Sequence, residues 1–161
     1  MSRLVGNHLT EALMSRLSGA EVDIHEGKII PIFTLDEGGW PHPALLSYYE
    51  VRAKNTSTLD LAIWKDSSTA SNLRRTGVLT LMITDEGVNY YLKGSVQQLE
   101  AEMAGVPQVS RFRMTIEQLL EDQEPNAAIT TGLTYRRLSH RDSNDFAVKV
   151  FHLLSEEKIE A

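Results

Sequence analysis

No cysteine occurs anywhere in the chain. Its absence excludes disulfides, a thiol nucleophile, thiolate-bound zinc and iron–sulfur clusters together. Long apolar runs are missing too. None approaches the ~20 residues that span a bilayer, so no membrane is expected as a partner. The first eight residues, Met1 to His8, hold no apolar stretch of secretory type, and with the missing cysteine this makes a cytoplasmic location the expectation. Positive charge is scarce: 16 lysines and arginines stand against 22 acidic residues, a net charge of −6. A field of that sign repels phosphodiester backbones, and nucleic acid is not an expected partner. The five histidines, His8, His25, His42, His140 and His152, fall at no metal-binding spacing, so no metal is expected. Gly-x-Ser-x-Gly, the P-loop and Gly-x-Gly-x-x-Gly are all absent. Their absence withdraws support from an α/β-hydrolase nucleophile, a P-loop and a dinucleotide fold.

What remains is a globular composition, 42% hydrophobic and 24% charged over 161 residues. That is enough for one domain that buries roughly two-thirds of its unfolded surface. Leu9, Leu13, Met14 and Leu17 repeat at helical steps, predicting a helix over 7–18 with Asn7 as N-cap and Gly19 as its stop. Residues 28–35 and 42–51 read as strands joined by the turn Asp36-Glu-Gly-Gly-Trp-Pro. In 58–65, Leu59, Leu61 and Ile63 share one face while Asp60, Ala62 and Trp64 share the other. A short helix over 68–76, ended by Gly77, follows. Strands over 78–84 and 88–99 flank Asp85-Glu-Gly, a hairpin signal, and Gly94 inside the second marks a bulge or bend.

Residues 109–116 alternate again. A helical turn over 117–122, a strand over 128–137 and a helix over 143–156 complete the reading, the last with Phe146, Val150, Phe151, Leu153 and Leu154 inward. Glu121-Asp122 and Glu156-Glu157 then read as solvated helix faces, and Tyr48-Tyr49 and Tyr90-Tyr91 as strand pairs with one ring in and one out. Six or seven short strands joined mostly by hairpins favour a closed or half-closed antiparallel barrel, which hides sheet edges. The chain is one domain in this reading, with the barrel over about 28–137.

One segment carries chemistry. After Trp64-Lys65, Asp66, Ser67, Ser68 and Thr69 crowd a helix start. Free N–H groups and hydroxyls there make a phosphate cradle, to which Lys65 adds charge; ordinary N-capping explains the same residues. Arg74 and Arg75 suit the helix C-terminus by its dipole alone.

The run Gly39-Trp-Pro-His-Pro-Ala-Leu-Leu-Ser, then Leu59-Asp-Leu-Ala-Ile-Trp, then Ser67-Ser-Thr-Ala-Ser-Asn-Leu-Arg-Arg-Thr-Gly-Val, and later Tyr90-Tyr-Leu-Lys-Gly-Ser-Val, resembles the pyridoxamine 5'-phosphate oxidase-like, FMN-binding split-barrel family over about residues 28–100. The resemblance implies a mainly β (α+β) fold: a six-stranded antiparallel split barrel with flanking helices, paired as a homodimer with flavin between the subunits. It implies FMN as cofactor and a small-molecule substrate for a flavin-dependent oxidoreductase. It places cofactor contacts at His42, Leu46, Ser47, Trp64, Lys65, Ser67, Ser68, Thr69 and Asn72. Thr69 and Ala70 stand where many members carry arginine and lysine. That departure keeps a second expectation open, a non-catalytic protein that binds flavin or another planar ligand such as haem or deazaflavin.

Overall fold

The computed structural model describes residues 1–140 and 145–158. The elements run β1 (Ser2–Gly6), α1 (Glu11–Leu17), β2 (Ile29–Leu35), β3 (Pro41–Ser47), β4 (Val51–Ala53), β5 (Thr58–Trp64), α2 (Ser68–Thr76), β6 (Val78–Asp85), β7 (Val88–Glu100), β8 (Val109–Asp122) and α3 (Phe146–Ser155). Among the described residues, eight strands form one antiparallel sheet in the order β3-β2-β6-β7-β8-β5-β4, with β1 beside the end of β8. The curled sheet encloses Ile30, Ile32, Leu61, Leu81, Leu92 and Phe112, and α1 adds Leu13 and Leu17 to the same core. A smaller cluster lies on the other side of β5, where Ala62 and Val109 pack under Val150 and Leu154 of α3. None of the described helices is long and apolar enough to cross a membrane.

The strand count exceeds the expected six because of two features. All five residues of β1 are exposed, so no burial pattern announces it. The strand expected over 42–51 breaks at Ser47. There the Ser47 hydroxyl accepts from Tyr49 N–H, and Glu50 Oε2 accepts from Ser47 N–H at 2.7 Å, capping a 3-10 turn over Tyr48–Glu50. Because they sit on a turn, Tyr48 and Tyr49 are both buried, not split between two faces.

Thr10, not Asn7, caps α1: its hydroxyl accepts from Leu13 N–H at 3.3 Å. Residues 117–122 are not a helical turn but the last part of β8, with β7 on one side and β1 on the other. Pairing on both edges overrides the local helical preference, and Glu121-Asp122 lie on a strand. Residues 128–137 form no strand; they follow the barrel irregularly with one bridge, Lys28 to Thr134. Residues 143 and 144, expected at the start of the last helix, lie outside the described residues. Phe146 is not inward: it stacks on the exposed Trp64 ring at 5.5 Å and 14°.

Gly94 does mark a bulge, the register slipping between Lys93 and Gly94. A Cβ there would lie 2.0 Å from the Thr115 carbonyl oxygen, so only glycine lets β7 and β8 approach this closely.

Candidate functional site

β5 runs from Thr58 to Trp64 beside β8, but β4 covers its other edge only as far as Leu61. β3, at the end of the sheet, pairs with β2 alone. The barrel is therefore open between β3 and the end of β5. A slot of about 160 Å³ lies in that opening, walled by Ala44 and Leu46 of β3, Ala62 and Trp64 of β5, and Thr69 of α2, with Glu50 also on its wall. A polar cleft of about 550 Å³ lies over the start of α2 and shares Ser67 with the slot as a wall residue.

Ser67 sits at this junction because it ends the loop after β5. Its hydroxyl donates to the Trp64 carbonyl at 2.7 Å and accepts from Ala70 N–H at 3.0 Å. Capping thus consumes that hydroxyl, while the described hydrogen bonds leave the N–H groups of Ser68 and Thr69 unused, as the geometry of a helix start dictates. Ser68, Ser71, Asn72 and Arg75 recur at steps of three, one and three, so one face of α2 lines the cleft. His42 faces it from β3.

Hydrogen bonds fix this face. Asn72 Nδ2 donates to Thr34 Oγ1 at 3.0 Å, and Arg75 Nη1 donates to Asn72 Oδ1 at 3.2 Å. A second Arg75 amine donates to the Leu35 carbonyl. Asn72 is buried and both ends of its amide are engaged, so it holds α2 against β2 and sets the guanidinium of Arg75 at the cleft. Three carboxylates, Asp36, Glu37 and Asp66, line the same cleft against that single guanidinium. Asp36 is partly engaged, accepting from Trp40 N–H at 2.9 Å.

Of the expected contacts, His42, Ser67, Ser68 and Asn72 meet at the cleft, and Leu46, Trp64, Ser67 and Thr69 meet at the slot. Two lie elsewhere. Ser47 is held in the capping of the 48–50 turn, its hydroxyl donating to Glu50 Oε2 at 3.1 Å. Lys65 reaches away to Glu102 at 2.5 Å, an ion pair that raises its pKa. The cation at the cleft is Arg75 instead. The helical step from Ser68 and Ser71 to Arg75 was the signal for it. Glu50 was also missed. Burial pushes its carboxyl up, against hydrogen bonds from Ser47 that pull it down.

No family model matches the sequence. The protein YclD of Bacillus subtilis is 28% identical over 127 residues, covering 79% of this chain and 82% of that protein. Among solved structures, a candidate pyridoxamine 5'-phosphate oxidase from Lactobacillus delbrueckii matches with a TM-score of 0.59 at 16% identity, over 74% of this chain and 98% of that one. HupZ of Group A Streptococcus matches with a TM-score of 0.54 at 17% identity, over 69% and 91%. A conserved hypothetical protein of Mycobacterium tuberculosis gives 0.55 at 12%, over 89% and 99%. Such identities carry the fold alone, and it agrees with the curled antiparallel sheet described above: the chain has a split-barrel fold, like that of the candidate pyridoxamine 5'-phosphate oxidase.

Proposed function

We propose that the chain binds FMN at the barrel opening and works as a flavin-dependent oxidoreductase on a small-molecule substrate. The observation that carries this reading is that a slot with largely apolar walls and a polar cleft share Ser67. A flavin has the same two halves, a flat ring and a polyol phosphate. Ala44, Leu46, Ala62 and Trp64 offer the ring apolar walls. The free N–H groups of Ser68 and Thr69, the exposed hydroxyls of Ser68 and Ser71, and Arg75 offer donors to the tail.

The slot is smaller than the ~300–1,000 Å³ of a usual ligand pocket, and its rim residues Leu45 and Trp64 are exposed. A second copy of the chain covering that rim is part of this reading, hence a homodimer. When bound, the flavin supplies the redox chemistry. The chain's own residues hold the ring flat between β3 and β5, keep water from one face and anchor the tail at α2. Arg75, pinned by Asn72 and the Leu35 carbonyl, is preorganised for that anchoring.

One feature of the cleft favours a second reading. Asp36, Glu37 and Asp66 oppose a phosphate, which suits a non-catalytic binder of flavin or of another planar ligand, haem or deazaflavin. Anaerobic mixing of FMN-loaded protein with NADH or NADPH separates the two. Bleaching of the ~450 nm flavin band is the expected result. No bleaching with either donor removes the oxidoreductase reading and leaves the binder.

A further inference from the structure

Ring walls made of Ala44, Leu46, Ala62 and Trp64 grip any flat apolar molecule alike, so selectivity must come from the polar atoms among them. Capping occupies the Ser67 hydroxyl, and the side-chain oxygens left are those of Glu50 and Thr69. Glu50 reaches the slot from the 48–50 turn. Its Oε2 accepts from both the N–H and the hydroxyl of Ser47. That pins the carboxyl group in place, and among the described residues nothing donates to its Oε1. Thr69 also lines the slot; it is 5% exposed, and its hydroxyl has no partner among the described residues. The sealed, unpartnered side-chain atoms among the described residues are Asn89 Oδ1 and Glu100 Oε2. The free oxygens of Glu50 and Thr69 are therefore not sealed, and both residues border the slot.

We infer that Glu50 and Thr69 form the reading edge of this slot, Glu50 Oε1 accepting an N–H from the bound ring and the Thr69 hydroxyl donating to a ring carbonyl beside it. The ligand class is a flat heterocycle with an amide or imide edge, –C(=O)–NH–, such as the pyrimidine end of a flavin. The inference rests on the reading of the slot as a ring site and narrows it. A carboxylate oxygen in an apolar wall makes a strong acceptor when it meets a donor and a costly group when it does not. A site built this way rejects a ligand that lacks the donor far more strongly than it rejects one of slightly different size. Haem, which has no such edge, is disfavoured by the same two residues.

The test uses the whole chain at pH 8, well above the ordinary carboxylate pKa. Dissociation constants are measured for FMN and for FMN methylated at the ring N3, which keeps every other atom and loses the N–H. Wild type is expected to bind FMN at least tenfold more tightly than the methylated form. Glu50→Gln keeps the shape of the side chain. With its carbonyl oxygen accepting from Ser47, it turns the free acceptor into a donor. FMN binding should fall at least tenfold in this variant, and binding of the methylated flavin should change less than twofold. Equal affinity of wild type for the two flavins overturns the inference and leaves flavin binding intact, as does undiminished FMN binding by Glu50→Gln. Failure of wild type to bind either flavin overturns the ring-site reading beneath it.

Discussion

Substituting Asp60 by asparagine tests how the slot's wall is held. Asp60 and Arg111 are both fully buried. Asp60 Oδ2 accepts from Arg111 Nε at 2.9 Å, and Arg113 adds bonds from Nε to Oδ1 at 2.7 Å and from Nη2 to Oδ2 at 3.0 Å. On its far side Arg111 donates to the carbonyls of Leu153 at 3.2 Å, Leu154 at 3.3 Å and Glu156 at 2.7 Å, at the C-terminal end of α3. Such an arrangement suits a helix C-terminus, where free carbonyls face outward. It also fastens the helix whose Phe146 backs Trp64. Asparagine removes the one carboxylate shared by two guanidiniums and leaves Glu100, 3.7 Å from Arg111, as the nearest replacement.

Breaking a buried pair from one side costs about 3–5 kcal/mol, a large share of a typical 5–15 kcal/mol stability. At ~2–4 °C per kcal/mol for a chain of this size, the melting temperature should fall by roughly 6–20 °C. A thermal melt measures that shift, urea unfolding followed by tryptophan fluorescence measures the free-energy loss, and near-ultraviolet circular dichroism follows the Trp64–Phe146 stack. A loss below about 1 kcal/mol, with that stack intact, would refute the assignment of Asp60 as the anchor of α3.

Three other outcomes follow from particular contacts. Gly94→Ala should destabilise the chain by several kcal/mol, since its Cβ would lie 2.0 Å from the Thr115 oxygen and both groups are backbone-fixed; a change under about 1 kcal/mol in urea unfolding contradicts the close approach. Arg75→Gln should weaken FMN about tenfold, the value of one exposed charge-assisted hydrogen bond, and leave riboflavin within about twofold; equal losses for both would show that Arg75 acts on the fold and not on the phosphate. For Glu50, burial raises the folded pKa above the unfolded value of about 4.5, so the folded state keeps a proton that the unfolded chain loses. The resulting stabilisation is complete below about pH 4.5 and is lost as pH rises through the folded value. Wild type should therefore lose stability relative to Glu50→Gln across that rise, and a difference that does not vary with pH rules the effect out.

The stretch from β5 through α2 to β6 was legible in the sequence because its signals are local. Leu59, Leu61 and Ile63 alternate, Ser67 caps, and Gly77, with φ of 65°, ends the helix. The end of β8 was not, because its strand state depends on β1, more than a hundred residues away in sequence. The same holds at the site. The helix start at Ser67 could be placed from its neighbours, but the direction of Lys65 is decided by Glu102, thirty-seven positions on. Asn72 reads as a ligand contact, but its partner Thr34 lies on β2, thirty-eight positions earlier. Glu50 had a signal, the capping-box spacing Ser47-x-x-Glu50, but it lies inside an apolar run that reads as one continuous strand over 42–51.

A flavin held where the slot and the cleft share Ser67 would colour the purified chain. The most direct measurement is an absorption spectrum of the purified chain, incubated with FMN and then passed through gel filtration. Wild type should retain the ~370 and ~450 nm bands of the flavin, and Ala44→Trp, which fills the slot from β3, should elute colourless at the same volume. Wild type that elutes colourless, or a filled slot that retains flavin as well as wild type does, would contradict the account.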